Sequence, residues 1–172
     1  MMERAKELFK RIQSLSHEIH DLDGVLDFKK EEAKAPLTDH FDELVTDLVL
    51  NAKVKKLFGD GHHARAVEEA YKYFDNLVLE LSNLANMSGS PLMKRAFSPD
   101  KPILKLNEGT SQSERDEQLG YMEICSGVMT GIRNPRAHDG DWEDTEARAL
   151  QLLVFANHLV CKIKTSASQD KA

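Results

Sequence analysis

Cysteine, proline, glycine and tryptophan are all scarce in this chain: 2, 5, 9 and 1 among 172 residues. Cys125 and Cys161 stand far apart in apolar surroundings, so they form no disulfide framework and read as free buried thiols. Low glycine and proline, with aromatics at 6%, argue against many short strands joined by tight turns. The N-terminal MMERAKELFKRIQ has no apolar stretch of the length that a signal peptide or a membrane span needs, so a cytoplasmic protein with no membrane partner is expected. Positive charge is lacking as well. The 23 Lys and Arg against 29 Asp and Glu leave −6, which excludes coating of nucleic acid by global charge and leaves room for a local basic groove.

What is present is helical periodicity. Ala5, Leu8, Ile12, Leu15, Ile19, Leu22 and Leu26 alternate spacings of 3 and 4, a heptad seam that can pair with a second copy or lie on the main domain. His17, Glu18, His20 and Asp21 on that segment have metal-compatible spacing, but no further ligand cluster accompanies them, and a solvated polar face is the simpler reading. The charged FKKEEAKAP run then marks a boundary, giving an appendage over 1–35, a helical domain over 36–165 and a disordered tail over 166–172. Within the domain, a helix capped by Thr38 or Asp39 should run to Gly59, and another from His62 to Asn86, with Ala66, Ala70, Phe74, Leu77, Val78, Leu81 and Leu84 on its core face. A long connection, residues 87–110, carries Lys94, Arg95, Lys101 and Lys105, and its Leu92–Phe97 part suits one or two helical turns. Two more helices are expected over Ser113–Ile132 and Asp144–Lys164. The fold class is therefore all-α, one chain able to bury a core without staples.

Between the last two helices stands Arg133-Asn134-Pro135-Arg136-Ala137-His138. Asn favours the N-cap, Pro favours the first helical position, and the residue before Pro avoids the α region, so a helix should stop and a new turn begin at Asn134. In that frame Arg133 and His138 occupy the facing positions of a staple, on a turn whose N–H groups favour an anion. A fixed guanidinium beside an imidazole suits phosphate chemistry, the Arg stabilising phosphoryl charge and the His moving a proton. RNA carries its own nucleophile in the 2′-hydroxyl, so no metal or other cofactor is expected. The alternative is a capped turn with a surface Arg and a solvated His. His62 and His63 can bind phosphate or simply end a helix, and Trp142 can stack a base or anchor its turn on the core. Asp139, Asp141, Glu143 and Asp144 crowd the far side of His138, where they favour a charged imidazole and oppose RNA.

The R-N-P-R-A-H hexapeptide resembles the signature of the HEPN superfamily. GDGHHARAVEEAYK, LMKRAFSPDKPILKLN and SERDEQLGYMEICSGVMTGIRNPRAHD are similar to the Ymh-type, abortive-infection-like branch, over roughly Leu48 to Lys164. Asn51-Ala52 replaces a common His-Pro, and His63 stands where an aromatic is frequent. The resemblance implies a helical bundle that forms a homodimer, with Arg and His of both copies lining a shared cleft. It implies a metal-independent endoribonuclease of a toxin–antitoxin or antiviral defence system, with an antitoxin or defence protein as partner. The alternative it implies is a noncatalytic RNA-binding or protein-assembly module, or a regulator of such a system. Position by position, Arg133 and His138 would be the catalytic pair, Asn134 the organiser of the turn and Glu69 an acid that orients Arg133. Arg136, Lys94, Arg95, Lys101 and Lys105 would supply the RNA-binding surface.

Overall fold

The chain divides into two units, Met1–Ala35 and Pro36–Ala172. A computed structural model describes residues 40–169, together with Glu7, Lys10 and Arg11, which are helical. The heptad seam, the His17–Asp21 cluster and the candidate caps Thr38 and Asp39 lie outside the described residues. Among the described residues there is no strand, and the protein is all-α.

Where one helix was expected up to Gly59, there are two: α1 (Phe41–Leu44) and α2 (Leu48–Gly59). The interruption has identifiable causes. Asp47 accepts the Leu50 N–H at 2.9 Å and so caps α2, while the Asp47 N–H donates to Asn157 Oδ1 at 2.9 Å. Asn51 Nδ2 holds the Val45 carbonyl at 2.9 Å, and Lys164 Nζ reaches Asp47 Oδ2 at 2.6 Å. Side chains from the far end of the sequence thus fix a break that local pattern does not announce.

The central helix is α3 (His63–Ser82), which ends at Asn83 in the left-handed region, φ 52°. Ala66, Val67, Ala70, Tyr71, Phe74 and Val78 are fully buried on it, as the 3.6-residue period requires, and each large side chain so buried contributes about 1.5–3 kcal/mol. It packs against α2 and against α7 (Glu146–Gln169), to which Tyr71 Oη donates at the Leu152 carbonyl, 3.1 Å. The last helix continues past Lys164, so residues 166–169, expected in a tail, are helical. Ser166 explains part of this: it is buried and its hydroxyl donates to the Lys162 carbonyl at 3.0 Å.

The long connection is built, not loose. It contains α4 (Gly89–Ala96), and its remainder turns back so that the Ile103 and Leu104 N–H groups both reach the Ala96 carbonyl at 2.9 Å. One buried side chain holds it: Gln118 donates to the carbonyls of Phe97 and Leu104 and accepts the Leu106 N–H at 2.9 Å. Gln118 belongs to α5 (Gln112–Val128), which opens with a reciprocal Ser111–Glu114 capping box. No helix among the described residues is long and apolar enough to cross a membrane.

Candidate functional site

The expected stop before Pro135 does not occur. After α5 the backbone passes into a π-helical turn, Met129–Arg133, and then directly into α6 (Asn134–His138), with Asn134 itself helical at φ −61°, ψ −43°. The Asn134 N–H bonds to the Met129 carbonyl five residues back. This widened turn relieves the conflict that local rules foresee. A proline inside a helix lacks a donor and crowds the carbonyl four residues earlier, and a π turn loosens that stretch. Arg136 completes the repair, its Nη1 donating to the Ile132 carbonyl at 2.6 Å.

Because the run is helical throughout, Arg133 and His138 do not face each other across a cap. Five residues on a helix separate them by about 140° around its axis. Arg133 is half-buried, with Nη1 3.3 Å from Asn134 Oδ1 and with Nε buried and lacking a hydrogen-bond partner among the described residues. His138 is exposed, and its imidazole makes no hydrogen bond or ion pair among the described residues.

Two expected roles are corrected by the contacts. Arg136 is no surface RNA contact: its side chain is only 2% exposed, and Nε and Nη2 grip Asp144 at 2.6 and 2.7 Å. The Asp144 side chain is 0% exposed and is also 3.5 Å from Arg148. Guanidinium, carboxylate and the Ile132 carbonyl satisfy one another, which is what burial of charge demands. Trp142 lies with its ring 5.5 Å from the Arg136 guanidinium, so it belongs to this buried cluster. Glu69 does not orient Arg133. Its carboxylate is held on its own helix face by Arg65 at 2.9 Å and Lys72 at 3.4 Å, the ordinary spacing of three and four residues.

The acid whose charge Arg133 does meet is Asp75, which the sequence reading missed. It is half-buried on α3 and accepts the Gly89 N–H at 2.7 Å. Burial pushes its carboxyl above the usual carboxylate range, against the Gly89 hydrogen bond and the nearby Arg133 charge. The available signal was an acid directly after core Phe74 on the central helix, a place where carboxylates need a partner. Lys94, Arg95, Lys101 and Lys105 are all exposed, on α4 and the segment after it. Among the described residues no group of three or more His, Cys, Asp and Glu is arranged to hold a metal ion.

The fold and site thus define an all-α domain built around a π-interrupted helix that bears an Arg-Asn-Pro-x-x-His segment. The chain belongs to the family described as "Protein of unknown function (Hypoth_ymh)", whose model matches residues 45–163. No curated protein and no solved structure matches it.

Proposed function

We propose that this protein is a metal-independent endoribonuclease of a defence or toxin-type system, a member of the HEPN superfamily acting at a cleft between two copies of the chain. One observation carries the reading: a half-buried Arg133 whose guanidinium has one weak side-chain contact, to Asn134, and an exposed His138 whose imidazole is unengaged, stand on one short helical run. A guanidinium with unused donors is suited to a phosphodiester, and an unengaged imidazole to proton transfer. Since the two side chains diverge on one helix, a cleft that uses both draws them from facing copies. The exposed face of α5 favours a close approach of that kind. Gly120, Ile124 and Gly127 recur at helical spacing, Ile124 is 40% exposed, and open space lies beside both glycines.

In the reaction, His138 removes the proton of a 2′-hydroxyl, whose oxygen attacks the adjacent phosphorus. The bond to the 5′-oxygen breaks, that oxygen takes a proton, and a 2′,3′-cyclic phosphate remains. Arg133, steadied by Asn134, holds the phosphoryl oxygens as charge builds on them. Lys94, Arg95, Lys101 and Lys105 offer exposed positive charge for the flanking strand.

The test is incubation of the full chain with end-labelled single-stranded RNA in EDTA. Cleavage by the wild type, ending in cyclic phosphate and lost in both Arg133→Ala and His138→Ala, is expected. Intact RNA with saturable binding would replace the reading with a noncatalytic RNA-binding module. Cleavage that survives in His138→Ala, purified free of other nucleases, would remove His138 from the mechanism.

A further inference from the structure

A cavity of about 390 Å³ lies where the end of α3, the segment after α4 and the last turns of α7 meet. Arg133 and His138 are not among its walls; Lys105 is. Its lining is largely apolar. Leu104, Leu106 and Ile163 are buried there, with half-buried Leu81 and Ile103 beside them. Ser166 is the one buried polar residue of the lining, and its hydroxyl hydrogen is engaged on the Lys162 carbonyl at 3.0 Å.

The exposed polar side chains of this cavity, Glu80, Asn83 and Lys105, have no hydrogen-bond or ion-pair partner among the described residues. Two of them are opposite charges that share one cavity without neutralising each other. Glu80 stands in the last turn of α3, and the Leu81 and Ser82 carbonyls that follow it accept no hydrogen bond among the described residues. A carboxylate and a helix C-terminus therefore make this side negative. Lys105 makes the other side positive, on a stretch that is held in place. Gln118 accepts the Leu106 N–H at 2.9 Å and donates to the Leu104 carbonyl at 3.1 Å, so the residues on both sides of Lys105 are tied down.

The charges decide what the cavity suits. A simple anion would meet Glu80 and the negative end of α3, and a simple cation would meet Lys105. A guest that carries both charges beside an apolar body complements every wall, and the volume is at the small end of ligand sites. We propose that this cavity binds a free α-amino acid with an apolar side chain. Lys105 Nζ holds its carboxylate, Glu80 and the last carbonyls of α3 hold its ammonium group, and its side chain lies on Leu81, Ile103 and Ile163. The inference stands apart from the ribonuclease reading, because binding here requires no cleavage and neither Arg133 nor His138.

Nuclear magnetic resonance titration of the isotope-labelled full chain with L-leucine tests it. Saturable shifts are expected at the amides of Asn83, Lys105 and Ser166, and they should persist in Arg133→Ala. Glu80→Gln and Lys105→Met, which alter exposed side chains, should each weaken the complex by about tenfold. N-acetyl-leucine, which lacks the ammonium group, should bind more weakly and be insensitive to Glu80→Gln; leucinamide, which lacks the carboxylate, should bind more weakly and be insensitive to Lys105→Met. Four results would overturn the proposal: no saturable shift at these amides, unchanged affinity in both variants, derivatives that bind as tightly as leucine, or shifts that vanish in Arg133→Ala.

Discussion

Arg133 and Arg136 stand three residues apart, yet one is walled into the protein and the other is not. Arg136 is buried with its donors directed at Asp144 and the Ile132 carbonyl, whereas Arg133 is half-buried, with one weak contact to Asn134 and an Nε left without an acceptor. The difference teaches that a basic residue in a promising motif has a role set by what already surrounds it. A guanidinium whose three nitrogens are all engaged holds the fold, and one with donors to offer can hold a ligand.

The largest effect expected from breaking this contrast is on folding. Arg136→Ala leaves the Asp144 carboxylate buried without its main partner and should cost about 3–5 kcal/mol in denaturant unfolding. Replacing both residues, Arg136→Met with Asp144→Leu, should restore most of that loss; if the double variant is as unstable as the single, the ion pair is not the cause. Arg133→Ala should behave in the opposite way. Its unfolding free energy should stay within about 1 kcal/mol of wild type, while the proposed RNA cleavage falls by roughly a hundredfold or more. A variant that loses stability and activity together would erase the distinction between the two arginines.

Asp47 offers a smaller effect with a defined pH dependence. Burial pushes its carboxyl up, but Lys164 and the Leu50 N–H outweigh that and hold it below the ordinary carboxylate range. A carboxyl whose folded value is depressed adds stability that is present above its unfolded value and is lost as pH falls through the folded one. Asp47→Ala should therefore cost about 1 kcal/mol at neutral pH, and the gap from wild type should close in acid. A gap that is constant from neutral pH down to acid would assign the loss to packing. The smallest effect belongs to Glu69→Gln, which removes one charge from an exposed helix-face network and should shift stability by about 0.5 kcal/mol or less, with cleavage unchanged. Loss of cleavage in Glu69→Gln would return that residue to the site.

The helical class and the core face of α3 were readable because buried Ala66, Ala70, Phe74, Leu77 and Val78 obey a period that local chemistry imposes. The fate of Asn134 was not. Its preference for a cap and the constraint from Pro135 are real, but they are outweighed by a π turn and by a guanidinium donated from one turn ahead. The break at Val45–Asp47 escaped for a related reason, since Asn157 and Lys164 enforce it from more than a hundred positions away. Of the candidate site residues, Lys94, Arg95, Lys101 and Lys105 were placed on an exposed segment, while Arg136 and Glu69 were misread because their partners Asp144 and Arg65 are set by tertiary and helix-face geometry.

The π turn also makes this region sensitive to length more than to composition. It accommodates one residue more than an α-helix of equal reach, and every side chain from Asn134 onward owes its bearing to that extra residue. Deleting a single residue between Met129 and Ile132 would be absorbed by closing the π turn into an α-helix of equal reach, whereas inserting one there would turn the following segment by about 100° and carry Arg136 away from Asp144. A lengthening by one position, with all six residues of the motif intact, would disarm the segment more completely than many single substitutions within it.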